Sequence, residues 1–279
     1  MTTAFIVLTY NRPDALLLVL RALACQCGPQ HEIIIADDGS SHASVDAMHS
    51  GMPSFNCPVR HVWHPDTGFT ASRTRNLAAG SSHADYFVFM DGDCMPNPRF
   101  VENHTALRAP GFFVNGNRVL VSESLTQKIL ANEVDLSLAH WPDWFRWRLA
   151  GDVNKLIHLL QWKNAPLRQE QKFRWKKIRS CNFGVWRENF LQVNGFDESF
   201  EGWGHEDADL VLRLFNAGFK RKNGFCATEV YHLWHKENSR NNEQSNRQLV
   251  KQRLQTGLIR AVRGVDNALN VEGVIKQLN

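Results

Sequence analysis

Two carboxylates separated by one glycine, Asp91-Gly92-Asp93, follow directly on the apolar run Tyr86-Phe87-Val88-Phe89-Met90 and precede Cys94-Met95-Pro96. Paired acids at the end of a buried run need a reason. Hard divalent cations take oxygen ligands, usually one or two protein carboxylates plus substrate phosphates, so this pair is suited to hold Mg²⁺ or Mn²⁺ against a nucleoside diphosphate. Read as local geometry alone, the same residues are an Asp/Gly turn that closes a strand. A second acidic cluster, Gly202-Trp203-Gly204-His205-Glu206-Asp207-Ala208-Asp209-Leu210, opens a helical pattern. Acids in a first helical turn complement the unpaired N–H groups and the helix dipole, for roughly 0.3 to 1 kcal/mol each, and many do nothing else. A third, Asp37-Asp38-Gly39-Ser40-Ser41, is unremarkable as turn chemistry.

These clusters punctuate a regular alternation of elements. Ala4–Leu8, Glu32–Ala36, Val59–Trp63 and Tyr86–Met90 are apolar, strand-like runs. Between them lie an apolar-periodic stretch after Asn11 and Pro13 that runs to Ala24, and a helical stretch from Thr70 to Ala79. Strands alternating with helices predict an α/β fold with a mostly parallel, Rossmann-like sheet flanked by helices. Ligands of such sheets bind beyond the carboxyl ends of the strands, where strand order reverses. Thr9 with Asn11, Asp37 with Asp38, and Asp91 with Asp93 all stand at such ends. Further on, Cys181–Trp186 reads as a strand, a helix follows Trp203 and ends at Gly218, and a short strand Ala227–Tyr231 runs to His232. From Ser239 the polar stretch through Leu249, Leu254 and Leu258 predicts an amphipathic helix outside the core.

In that order, Thr9-Tyr10-Asn11-Arg12-Pro13, the DDGS turn at Asp37–Ser40, the Gly/Ala-rich stretch Asp66–Asn76 with its Arg75-Asn76 pair, and the DGD at 91–93 resemble the nucleotide-sugar half of family 2 glycosyltransferases with the GT-A fold. Asn194-Gly195-Phe196-Asp197-Glu198-Ser199-Phe200 followed by the acidic run from Gly202 is similar to the FDExF and GWGxEDxDL pattern of galactosyltransferase and chondroitin-polymerase-type catalytic domains. The resemblance implies one catalytic domain over residues 1–238, its nucleotide-sugar half at 1–95 and its acceptor half at 96–238. It also implies a C-terminal helical extension at 239–279. An insertion at 140–180, rich in Trp, Arg and Lys, is expected to be helical.

The activity the resemblance implies is inverting, metal-dependent transfer of a sugar from a UDP-sugar to a hydroxyl of a glycan or lipid-linked glycan, in cell-surface polysaccharide or lipopolysaccharide synthesis. Thr9, Asn11, Arg12, Asp38, Arg75, Asp91 and Gly92 would then bind the nucleotide sugar, with Asp38 near the uracil or ribose. Asp91 and Asp93 would address Mn²⁺ or Mg²⁺. Asp207 maps onto the general base and Glu206 onto a residue that binds or orients the acceptor. Inversion needs one carboxylate opposite the leaving group to take the acceptor proton, while the metal neutralises the departing diphosphate. His232 lies about where related enzymes place a metal-binding His, and His235 competes with it; imidazole joins carboxylates on Mn²⁺ but suits Mg²⁺ poorly. Trp203, Gly204 and Trp186 are candidates for the acceptor side, with core packing as the plain reading of both tryptophans.

Composition excludes several other classes. At 279 residues, with 43% hydrophobic and 22% charged residues, the chain is neither a disordered segment nor a coiled coil. No apolar run approaches the roughly 20 residues of a membrane span, and no leader is visible, so the six cysteines are expected to be reduced, idle thiols in a cytoplasmic protein. Trp144 to Arg179 carries ten Lys/Arg against Asp152 and Glu170, net +8, leaving −4 for the remainder of a chain of net charge +4. Its four tryptophans beside those charges suit an anionic membrane, which predicts peripheral contact at the inner face of a membrane, or binding of an acidic acceptor. Nucleic acid is not expected as a partner, because no RNP, zinc-finger or helix-turn-helix pattern is present. A sugar-phosphate nucleotidyltransferase would want a Gly-rich loop after the first strand, and the first strand here runs into Thr9–Pro13 instead. A non-catalytic glycan- or nucleic-acid-binding module would leave the three acidic sites without a purpose.

Overall fold

A strand that is apolar along its whole length must be covered on both faces, and this chain sets four of them side by side. The computed structural model describes residues 1–165, 167–175, 178–236, 242–268 and 274–278. Strands β1 (Thr3–Thr9), β2 (His31–Asp37), β3 (Val59–Trp63) and β4 (Tyr86–Asp91) alternate with helices α1 (Pro13–Ala24), α2 (His42–Ser50) and α3 (Ala71–Gly80). Then come β5 (Cys94–Pro96), α4 (Phe100–Leu107), β6 (Phe112–Asn115), β7 (Asn117–Leu120), α5 (Glu123–Leu130) and α6 (Trp141–Ala150). The chain continues through β8 (Gln169–Glu170), β9 (Asn182–Trp186), α7 (Arg187–Gln192), α8 (Glu206–Asn216), β10 (Lys220–Asn223) and β11 (Glu229–His232). It closes with α9 (Glu243–Thr256), α10 (Val265–Ala268) and β12 (Val274–Gln277).

Nine strands form one sheet in the order β12-β3-β2-β1-β4-β9-β6-β10-β8. The four apolar strands are parallel, as are β6 and β10. β9 runs antiparallel between β4 and β6, and antiparallel β12 and β8 close the two edges. The period-2 geometry of a strand divides the core: Phe5, Val7, Ile33, Ile35, Val88 and Met90 pack on one face, and Ala4, Ile6, Ile34, Ala36, Phe87 and Phe89 on the other. From β1 the chain steps outward to β2 and β3, then returns past β1 to β4. The crevice at that reversal lies beyond the carboxyl ends of β1 and β4, where Thr9 and Asp91 stand.

A three-stranded sheet, β5-β11-β7, sits beside the large one. β11 pairs antiparallel with β5 so that His232 lies opposite Cys94, and Leu233 donates its N–H to the Asp93 carbonyl at 2.9 Å. This ladder carries a histidine 139 positions away in sequence to the acidic turn, the separation following from the two residue numbers.

The second half departs from expectation in three ways. Among the described residues of 140–180, only α6 and one 3-10 turn at Ile157–Leu159 are helical, and the others are β8 and irregular chain; Pro166, Lys176 and Lys177 lie outside the described residues. Trp144 and Trp147 do not face outward as a membrane belt requires, because Trp144 is buried against His158 and Tyr231, with ring centroids 4.1 and 4.9 Å away. The C-terminal extension is not purely helical, since β12 completes the edge of the large sheet against β3. The expected helix from Ser239 begins, among described residues, at Glu243; Val250 packs with Phe200, Ala208 and Leu212. Gly218 takes the left-handed conformation expected after α8, at φ +93, and Phe219 N–H closes the turn on the Leu214 carbonyl.

Candidate active site

The acidic turn is folded tightly onto the end of β1. Gly92 donates its N–H to the Leu8 carbonyl at 2.7 Å, and a Cβ at this position would sit 2.9 Å from the same oxygen. Only glycine lets the turn lie so close, which is why a residue without a side chain separates Asp91 from Asp93. Both carboxylates remain partly open to solvent.

Oxygen and imidazole donors converge here. Asp93, Cys94 and His232 offer ligand atoms within 4.8 Å of one another, as do Asp91, Cys94 and Cys181. His232 Nε2 lies 3.9 Å from Asp93 Oδ1, and His235 Nε2 lies 3.3 Å from Asp93 Oδ2. The two histidine rings are 5.2 Å apart, so both candidates flank one carboxylate. Burial holds His232 below the usual imidazole range, against the opposing pull of Asp93, which leaves it neutral and able to ligate near pH 7. Two carboxylates and a neutral imidazole fit Mn²⁺, and the carboxylates alone fit Mg²⁺.

The second acidic cluster opens α8. Gly202, Gly204 and His205 all have positive φ, 68, 111 and 70 degrees, so the GWGH segment winds left-handed before the helix begins. Asn246 of α9 donates to the carbonyls of Glu201 and Gly204 at 3.1 and 3.0 Å and holds that loop from behind. Burial raises both acids that follow. Glu206 is pushed up to about 7 by its burial and then by the charge of Asp207, with Arg75 opposing. Asp207 is raised by burial, against the N–H of Ala208 and the charge of Arg75. Asp209, two positions on, points inward instead: it is fully buried and bound by Arg213 at 2.7 Å and Arg253 at 2.6 Å.

Arg75 joins the two clusters. Its guanidinium is 3% exposed, donates to Asp91 Oδ1 at 2.9 Å and to Glu206 Oε1 at 3.4 Å, and lies over the Phe196 ring at 5.2 Å. One planar fork therefore spans the DGD turn and the acidic helix, which places their carboxylates on one side of the molecule. Asn76 next to it fixes the Phe196 backbone through two hydrogen bonds of 2.9 Å.

The remaining expected residues separate into two groups. Thr9 ends β1 beside Gly92, and its carbonyl accepts from Asp38 N–H at 2.9 Å. Asn11, left-handed at φ 49, accepts from Ser41 N–H and Ser44 Oγ and so organises the DDGS turn. Asp38 is buried, accepting from Thr70 N–H at 3.0 Å, Thr70 Oγ1 at 2.5 Å and Thr74 Oγ1 at 2.6 Å, with His64 at 3.2 Å. Arg12 pairs with Asp14 on the surface at 2.9 Å. Trp203 and Gly204 belong to the loop before α8, and Trp203 is 38% exposed. Trp186 is a correction. It lies opposite Tyr86 at the start of β4, the end of the sheet remote from Asp91, buried with its indole N–H on the Ala109 carbonyl. A further tryptophan beside the acidic helix is Trp175, 5.2 Å from the His205 ring.

Two arginines escaped the sequence reading as site residues. Arg118 approaches Cys181, Cys94 and Asp91, and its Nε is buried without a hydrogen-bond partner among the described residues. Arg179 lies near Arg118 and Asp207; burial and then the neighbouring guanidinium lower it from its ordinary range. Arg179 stood within the basic segment, but nothing in its neighbours set it apart from surface charge.

Comparison with known proteins supplies the fold and the family. The chain is 25% identical over 235 residues to "Chondroitin synthase" of Escherichia coli, covering 77% of this chain and 32% of that protein. It is 27% identical over 223 residues to "Validoxylamine A glucosyltransferase" of Streptomyces hygroscopicus subsp. limoneus, covering 75% of this chain and 47% of the relative. It thus spans less than half the length of each of these relatives. TarS of S. aureus in complex with UDP-GlcNAc superposes with a TM-score of 0.57 over 96% of this chain and 69% of that one, at 14% identity. GalNAc-T7 with UDP, GalNAc and Mn²⁺ gives a TM-score of 0.55 at 13% identity, over 90% and 48%. The fold is therefore the GT-A architecture. Residues 167–236 match the model described as the N-terminal domain of galactosyltransferase, which takes in the whole acidic-helix motif. Residues 4–182, well over half the chain, match the model of glycosyl transferase family 2, and the chain belongs to that family.

Proposed function

We propose that this chain is an inverting, metal-dependent glycosyltransferase that moves a sugar from a UDP-sugar to a hydroxyl of a glycan acceptor. The observation that carries the reading is the Arg75 fork, which sets the cation-suited turn and the acidic helix against one cleft at the strand-order reversal. The UDP donor and the divalent cation are supported by the complexes of structurally similar proteins, one with UDP-GlcNAc and one with UDP and Mn²⁺.

In this reading Asp207 accepts the proton of the acceptor hydroxyl as that oxygen attacks the anomeric carbon from the face opposite the diphosphate. The new bond to the acceptor forms, the bond from the anomeric carbon to the diphosphate oxygen breaks, and UDP departs with the electron pair. Asp91, Asp93 and His232 would hold the cation, which would supply neutralisation of the charge that gathers on the diphosphate. Glu206 orients the acceptor, Trp203 offers it an apolar surface, and Thr9, Asn11, Arg12 and Asp38 frame the nucleoside end. A thermal-shift screen of UDP, GDP, CDP and dTDP sugars with Mn²⁺ tests the donor class. The UDP series alone should raise the melting temperature; an equal response to all four, or to none, overturns the assignment.

The reading extends to synthesis of a cell-surface polysaccharide or lipopolysaccharide on a lipid-linked acceptor, and one surface feature supports the membrane contact this would need. Trp141, Phe145 and Leu149 are exposed along the outer face of α6, Leu138 is exposed in the turn just before it, and Arg146 and Arg148 lie beside them. An apolar stripe with arginine neighbours suits an anionic membrane surface at the cytoplasmic side. Co-sedimentation with anionic vesicles, absent with neutral ones and lost in Trp141→Ser/Phe145→Ser, is the expected result. Equal, negligible binding to both removes the membrane contact.

A further inference from the structure

The floor of the acidic turn is made of sulfur. Cys94 is wholly buried and Cys181 nearly so, both as free thiols. The sheet register explains why they meet. Antiparallel pairing of β4 with β9 sets Met90 opposite Asn182, so the next positions outward, Asp91 and Cys181, face each other; the DGD turn then brings the chain back to Cys94. The carboxylate of Asp91 and the two sulfurs lie within 4.8 Å of one another. A tetrahedral Zn²⁺, with bonds of about 2.3 Å to sulfur and about 2.0 to 2.2 Å to oxygen, spaces its ligand atoms roughly 3.5 to 3.8 Å apart. Closing inward by about 1 Å brings the three groups to that spacing.

Ligand softness separates this set from the oxygen-rich one beside it. Mg²⁺ and Mn²⁺ prefer carboxylate and phosphate oxygens, whereas thiolates select Zn²⁺ and similar soft ions. We propose that Cys94, Cys181 and Asp91 form a binding site for a thiophilic divalent cation of the Zn²⁺ class, exclusive with the hard cation used for donor binding. Asp91 belongs to both sets, so one ion displaces the other. Loading releases the two thiol protons to solvent, and the resulting two thiolates and one carboxylate together balance the three guanidiniums around them, Arg118 and Arg179 near the sulfurs and Arg75 on Asp91. Cys94 also donates to Asp93 Oδ1 at 3.4 Å, so Asp93, His232 or water stands ready as a fourth ligand. The competition rests on the donor-site reading given above; the binding itself does not.

Titration of the purified chain with Co²⁺, a coloured stand-in for Zn²⁺, tests the site. A thiolate-to-metal charge-transfer band is expected, bleached by added Zn²⁺, absent in Cys94→Ser and Cys181→Ser, and kept in Cys27→Ser. Calorimetry should show Zn²⁺ affinity falling by at least about 100-fold in Cys181→Ser, the upper end of what loss of an outer-shell partner costs. The wild-type chain should release about two protons per Zn²⁺ bound, a readout that needs no variant and survives any folding failure of the Ser substitutions. A wild-type chain without the band and without proton release overturns the site, as does a band that persists in both Ser variants. Zn²⁺ that binds through the cysteines yet leaves Mg²⁺-dependent UDP affinity unchanged overturns the competition, while a chain that captures Zn²⁺ but transfers no sugar speaks only against the donor-site reading.

Discussion

The Arg75 guanidinium donates to Asp91 Oδ1 at 2.9 Å from a position almost sealed from solvent, and its other arm reaches Glu206 at 3.4 Å. Removing one partner of a buried ion pair leaves the other uncompensated, which typically costs about 3 to 5 kcal/mol. Arg75→Met should therefore lower the denaturant midpoint by that order of stability and raise the pH at which Glu206 ionises. Arg75→Lys keeps the charge but not the planar fork, and should recover part of the loss. Urea titrations of the three proteins check this; equal midpoints refute the bridging role.

Asp207 and Glu206 should separate by kinetic signature. A positioned general base contributes about 10² to 10⁴ in rate, so Asp207→Asn is expected to lose that much turnover while retaining UDP affinity. Glu206→Gln should raise the acceptor KM more than it lowers kcat. Steady-state kinetics beside UDP calorimetry distinguish the two, and an active Asp207→Asn removes the assignment as base.

The raised Glu206 makes stability depend on pH in a stated direction. Its folded state holds the proton up to about 7, while an unfolded glutamate releases it near 4.5. The carboxyl therefore favours the folded state fully below the unfolded value, and that contribution is lost as pH rises through about 7. Glu206→Gln should be unchanged or slightly destabilised at pH 4 and stabilised at pH 8, by up to ~3 kcal/mol. Parallel melting curves at the two pH values give the answer, and the reverse order contradicts the buried-acid account.

Cation binding predicts a graded series. Asp93→Ala should abolish Mn²⁺-dependent UDP affinity. His232→Ala, which removes the imidazole that the β5–β11 ladder sets beside Asp93, should weaken it by about 10-fold or more. His235→Ala should weaken it less. Calorimetry with and without Mn²⁺ measures each, and a His235 effect larger than that of His232 would exchange their roles.

Arg253 on α9 ties the end of the chain to the site: it donates to Asp209 at 2.6 Å and pairs with Asp197 at 2.8 Å, both acids fully buried. Arg253→Met should cost about 3 to 5 kcal/mol and loosen the loop around GWGH, where the Glu201 and Gly204 carbonyls are held by Asn246, about two helical turns earlier on α9. Amide exchange across residues 200–210 should quicken in the variant; unchanged protection there refutes the coupling.

The order of apolar runs and acidic turns was enough to read the parallel half of the sheet, because each of those strands is covered on both faces and so carries an unbroken hydrophobic signature. Asp91, Asp93, Glu206 and Asp207 were likewise legible, since short-range spacing around strand ends and a helix start is local information. The second half was less readable. Trp144 and Trp147 of α6 looked like part of a surface belt until packing buried them, and Trp186 looked like a sugar platform until antiparallel pairing carried it to the far end of β4. The terminal segment read as helix alone because the four residues of β12 carry too short a pattern to declare a strand before β3 is there to receive them.

What the residues determined unaided was therefore a set of local chemistries: cation-suited acids after one strand, a candidate base at the head of one helix, and glycines where the backbone had to turn tightly. What tertiary structure alone decided was their meeting. His232 reaches Asp93 through a ladder between segments 139 positions apart, Arg75 spans Asp91 and Glu206, and Cys181 comes to lie under Asp91 through strand register. Such contacts depend on sheet order and register, which arise from covering the whole core at once and leave no mark in the spacing of neighbouring residues.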